Sequence, residues 1–146
     1  MLFHLVSLLI FLTFSIPAAL IDIRTFRIPD ALTLPGILAL SAWIGIADPG
    51  ALQTALASAA LCVVFFYLVR RVTGGLGLGD VKFAGFVGLF CGLPLVFPAF
   101  IIASLSGIIA ALVLIKARRL AKKAPIPFGP FLVLGAVGAW VIGMVW

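Results

Sequence analysis

Five stretches of this chain contain no Asp, Glu, Lys or Arg: residues 1–21, 31–47, 49–69, 83–115 and 124–146. About 20 apolar residues suffice for an α-helix to cross the hydrocarbon core of a bilayer. A spanning segment must also satisfy its own backbone N–H and C=O groups, which makes helices the natural reading of runs this long. Only 10% of the 146 residues are charged and 65% are hydrophobic, whereas a soluble domain is roughly a quarter charged. A water-soluble fold, a disordered chain and a disulfide-stapled secreted domain are thereby excluded. The sequence reads as an all-α integral membrane protein with a single domain over 1–146.

Four of the stretches read as single spans, near 3–21, 31–47, 51–69 and 128–146. The 33 residues of 83–115 are too many for one ordinary span, and Gly92-Leu93-Pro94 interrupts them. Splitting there predicts two helices, near 80–96 and 98–116. The basic residues support the split. Arg24 and Arg27 follow the first span, Arg70 and Arg71 the third, Lys82 opens the fourth, and Lys116, Arg118, Arg119, Lys122 and Lys123 follow the fifth. With six spans all ten lie on one side. An unsplit helix would send the 116–123 cluster to the other. Because Lys and Arg accumulate in cytoplasmic loops, the expectation is six transmembrane helices with both termini extracytoplasmic. The first apolar run lacks a basic start and is longer than a signal-peptide core, so it is expected to remain as a true span.

The net charge of +6 fits cytoplasmic loops rather than nucleic-acid binding. The Lys116–Lys123 cluster is expected to meet anionic lipids. Cys62 and Cys91 are widely spaced within apolar runs, and His4 is the only histidine. They read as packing residues, and neither a metal site nor a cofactor is expected.

The chain has no Glu and four Asp. Acids near the hydrocarbon boundary are expensive and invite a functional reading. Asp48, in Asp48-Pro49-Gly50, reads as a turn residue on the outer side. Asp30, after Pro29 and before an apolar run, reads as the N-cap of the second helix. Asp22 follows Ile21 at the cytoplasmic end of the first, where a salt bridge with Arg24 or Arg27 is the plainer role. Asp80 closes Thr73-Gly74-Gly75-Leu76-Gly77-Leu78-Gly79-Asp80, in which glycines allow sharp bends or close backbone approach. Two carboxylates brought together can divide acid and base duties at neutral pH. They can equally serve as an ion or proton relay in a small transporter, and a non-catalytic scaffold subunit is a third reading.

Three segments resemble those of the type IV prepilin peptidases, a group of GxGD intramembrane aspartic proteases. They are Asp22-Ile23-Arg24-Thr25-Phe26-Arg27-Ile28-Pro29-Asp30 with the following Leu32-Thr33-Leu34-Pro35, then Gly77-Leu78-Gly79-Asp80-Val81-Lys82, and Ile126-Pro127-Phe128-Gly129-Pro130-Phe131. The resemblance implies Asp22 and Asp80 as the catalytic pair. It implies Gly77, Gly79 and Lys82 as loop or substrate-binding residues, and Pro29, Asp30, Pro127 and Gly129 as structural parts of the motifs. It further implies a plasma-membrane endopeptidase that removes the leader of prepilin-like proteins at the cytoplasmic face, in type IV pilus assembly or protein secretion. Longer members carry a cytoplasmic segment with paired cysteines associated with N-methylation. This sequence holds no Cys-x-x-Cys, and is similar in its compact form to the peptidases of tight-adherence pili and to archaeal preflagellin peptidases.

Overall fold

The computed structural model describes residues 2–117 and 126–145. Their regular structure is entirely helical: α1 (Leu2–Thr25), α2 (Asp30–Ala47), α3 (Pro49–Thr73), α4 (Leu78–Lys116) and α5 (Gly129–Val145). The first four are long and apolar enough to cross a membrane, and α5 is a shorter apolar helix. Four residues of the 116–123 cluster, Arg118, Arg119, Lys122 and Lys123, lie outside the described residues.

Three of these elements differ from the boundaries read in the sequence; α3 runs four residues past 69, to Thr73. The helix α1 runs on to Thr25, so Asp22 lies inside its last turn rather than just beyond it. No glycine or proline follows Ile21 until Pro29, and nothing stops the helix at the edge of its apolar run. Within α4 the backbone leaves helical geometry at Gly92 (φ 67°, ψ 171°). The interruption therefore falls before the boundary near 96, and the second limb begins with Pro94 and Pro98 already inside it. A positive φ of this kind costs glycine little.

The helix ends are chemically specified. A single residue, Asp48, separates α2 from α3. Its Oδ1 accepts from the Ala51 N–H at 3.1 Å, and Pro49 occupies the first helical position, where its missing N–H is no loss. At the other end of α3, Gly74 adopts φ 66° and donates its N–H to the Arg70 carbonyl, a left-handed cap that favours glycine. Asp30 does not cap α2: Pro29 holds the N-cap position, and no side chain bonds the free amides there.

Small residues bring the helices together. A Cβ added at Gly88 would lie 2.7 Å from Cys62 Sγ and 2.9 Å from the Ser58 carbonyl oxygen of α3. One at Gly135 of α5 would collide with the Ala99 carbonyl oxygen and Ala103 of α4. Lipid tails are as apolar as the side chains, so association rests on close packing rather than on water exclusion. Phe11, Phe83, Phe86, Leu40 and Leu132 are fully enclosed, and Phe11 stacks on Phe90 at a centroid distance of 4.3 Å. The reverse faces are apolar and open, with Leu38, Phe97 and Ile109 at 70%, 63% and 60% exposure. That is the surface a bilayer covers. Cys62 and Cys91 are unbridged and buried.

Candidate active site

At the end of the bundle where α1 and α3 finish and α2, α4 and α5 begin, a cleft of about 910 Å³ opens. Its walls include Asp22 and Thr25 from α1, Phe26 to Pro29 from the connection to α2, Asp30, and the run Gly77 to Asp80 with Lys82. The two acids singled out from the sequence thus share one cleft although they lie 58 positions apart in the chain.

Each acid is held by backbone. Asp80 is the third residue of α4, and its Oδ2 accepts from the Gly77 N–H at 3.0 Å. This is the reaching-back half of a capping box, and it satisfies an amide that the helix leaves free. Asp22 is 3% exposed. Its Oδ2 accepts at 2.9 Å from the N–H of Gly129, the first residue of α5. A Cβ at position 129 would stand 2.9 Å from that same oxygen, so the contact requires glycine. The salt bridge of Asp22 with Arg24 or Arg27 is not formed.

The glycine run also packs inward. A Cβ at Gly79 would lie 3.1 Å from the Ile28 carbonyl oxygen and 3.3 Å from its nitrogen. The close approach this glycine makes is therefore to the α1–α2 connection, where Ile28 is buried. Arg70 reaches from α3 to donate to the Leu76 carbonyl at 2.6 Å, which ties the loop to α3. Lys82 Nζ meets Asp30 Oδ2 at 2.6 Å, so the motif lysine bridges the start of α4 to the start of α2. Pro29, in extended geometry (φ −74°, ψ 130°), keeps the connection straight up to Asp30.

Two partnerships escaped sequence reasoning. Asp30 read as a cap because a carboxylate after a proline and before an apolar run has that pattern; its true partner is 52 positions away. Gly129 read only as part of a motif. The signal that could have found it is Pro127-Phe128-Gly129-Pro130: a glycine between prolines at a helix start marks a place where backbone must come close to something. Among the described residues no group of three His, Cys, Asp or Glu side chains gathers to hold a metal ion. The cleft offers three carboxylates (Asp22, Asp30 and Asp80), backbone amides, the Lys82 ammonium and the Arg27 guanidinium.

Comparison with known proteins gives the same direction. The model of the type IV leader peptidase family matches residues 9–112. A prepilin leader peptidase/N-methyltransferase of Xanthomonas campestris pv. campestris is 34% identical over 134 residues, 84% of this chain and 44% of that relative. Proteins of the same name from Pseudomonas aeruginosa and Escherichia coli K12 are 32% and 34% identical, covering 88% and 90% of this chain and 45% and 60% of theirs. The chain spans about half the length of the curated relatives it matches. No solved structure matches it. The helical architecture, the shared cleft and the family match over most of the sequence place this chain in the type IV leader peptidase family.

Proposed function

We propose that the chain is a membrane-embedded aspartic endopeptidase that removes the leader of prepilin-like proteins. The observation that carries this reading is the single cleft containing both Asp22 and Asp80, on a chain whose family relatives are named prepilin leader peptidases. One carboxylate takes a proton from water as its oxygen attacks the scissile carbonyl carbon. The other, protonated, gives its proton to the departing amide nitrogen as the C–N bond breaks. Neighbouring carboxylates favour this division because both cannot easily ionise at once. Gly77 and Gly79 form the floor on which an extended peptide lies, and Lys82 holds that floor through Asp30.

Six spans fit this role, with α4 crossing twice through its break at Gly92 and both termini outside. The cleft then faces the cytoplasm, on the side of every basic residue. A substrate helix anchored in the same membrane presents its leader junction there. The Lys116–Lys123 segment lies against anionic lipids at that face. A transporter using the same acids as a relay would place them nearer the midplane, whereas Asp22 and Asp80 sit in terminal turns of their helices.

The test is co-expression with a candidate prepilin, with N-terminal sequencing of the product. Wild type releases a leader-free chain. Asp22→Ala and Asp80→Ala each abolish cleavage at matched protein levels in the membrane. Full processing by either variant removes the paired-acid mechanism.

A further inference from the structure

The first amides of α5 are unevenly used. Phe131 and Leu132 donate to the Phe128 carbonyl at 3.1 Å each, and Pro130 has no N–H to give. Only the Gly129 amide points away from its own helix, onto Asp22 Oδ2. Asp22 thus does for α5 what an N-cap side chain does, from 107 positions away. Asp80 Oδ2 bears the matching bond from Gly77. Each carboxylate therefore has one oxygen fixed by a glycine amide, and no described residue donates to Oδ1 of either.

We infer that Gly129 is a positioning residue for the reaction: its amide pins one oxygen of Asp22, so that only the other is presented to water and to Asp80. A carboxylate free to rotate about its last torsion would offer either oxygen in many orientations, because that torsion is broad. Pinning one oxygen selects the orientation before substrate arrives, and preorganisation of this kind acts on the chemical step. The amide excludes only proline at position 129; glycine is demanded because a Cβ would meet the same oxygen. The Asp22 carboxylate closes the path any larger residue would need.

This inference rests on the peptidase reading, and the experiment separates the two. The full chain in lipid nanodiscs is assayed for cleavage of a prepilin leader–helix peptide, and kcat and KM are measured separately. Wild type must cleave and Asp22→Asn must not; failure there rejects the peptidase reading and the inference with it. Gly129→Ala keeps the amide but inserts the methyl. Replacing Gly129 by glycolic acid through a suppressor tRNA puts an ester oxygen where the N–H was and adds no bulk. Both changes are expected to lower kcat about tenfold or more, with KM within about twofold of wild type. Gly138→Ala, whose Cβ meets only Ile102 on another face of α5, serves as the packing control and keeps kcat near wild type. The inference is overturned if the ester variant retains wild-type kcat, or if KM rises while kcat holds. A Gly138→Ala loss matching that of Gly129→Ala also overturns it, because both would then report loosened helix packing.

Discussion

Lys82 and Asp30 form the one ion pair among the described residues, with side chains 41% and 52% exposed. Exposed pairs are worth about 0–1 kcal/mol, so this one does little for overall stability. Its importance lies in where it acts, because Asp80 is two residues from Lys82 and the pair fixes the start of α4 against the start of α2. Lys82→Met is expected to lower kcat/KM by up to about fivefold, with the thermal midpoint nearly unchanged. The exchange Asp30→Lys with Lys82→Asp is expected to restore most of that loss. An exchange variant as defective as the single one would show that Lys82 touches substrate instead of bracing the loop. At this scale the sequence was legible in chemistry and partly illegible in pairing. Asp22 and Asp80 stood out because acids are scarce and costly near lipid. The partners of Asp30 and Asp22 did not, because 52 and 107 residues of intervening chain carry no trace of which helix ends meet.

Among the elements, glycine does different work from place to place, and substitution separates the cases. Gly135→Ala drives a methyl into the Ala99 carbonyl oxygen and against Ala103. Backbone cannot step aside as a side-chain tip can, and overpacking of this kind costs about 1–3 kcal/mol. Gly74→Ala meets open space but must keep φ 66°, which costs about 1–2 kcal/mol for a residue with a Cβ. Gly75→Ala meets neither obstacle and is expected to stay within about 0.5 kcal/mol of wild type. Unfolding in mixed micelles by denaturing detergent reads all three, and equal losses at positions 74 and 75 would contradict the cap assignment. The helices themselves were legible because charge marks their limits. The interruption in α4 was legible too, from its length and from Gly92-Leu93-Pro94. The exact ends were not: α1 and α3 carry their helical geometry beyond the apolar runs, to Thr25 and Thr73, since polar residues there are still acceptable helix formers in water. The close contacts of Gly79 with Ile28 and of Gly88 with Cys62 depend on which helix faces which, and that is set only when the bundle packs.

For the molecule as a whole, the proposed topology makes a direct prediction. Reporter fusions at Asp48 and at Leu93 should read as extracytoplasmic, and fusions at Arg71 and Lys116 as cytoplasmic. Arg71 and Lys116 on opposite faces would mean that α4 crosses once, and would place the basic cluster outside. The connections at the two ends of the bundle are unequal: Asp48 alone joins α2 to α3, and Gly92 joins the limbs of α4, while the four-residue connections 26–29 and 74–77 lead into the cleft. This inequality bears on how the chain enters the membrane during synthesis. Helices joined by one residue partition as hairpins, and a hairpin carries only its tip through the hydrocarbon. In the proposed topology the tip of the first hairpin bears a single charge, Asp48, and that of the second bears none. Every other charged residue of these 146 stays on the side where the ribosome delivers it. Asp and Lys cost about 2.5–3.5 kcal/mol each at the bilayer centre, so the chain faces that cost once. The four middle limbs can insert by lateral partitioning as two hairpins, with almost no polar cargo to translocate.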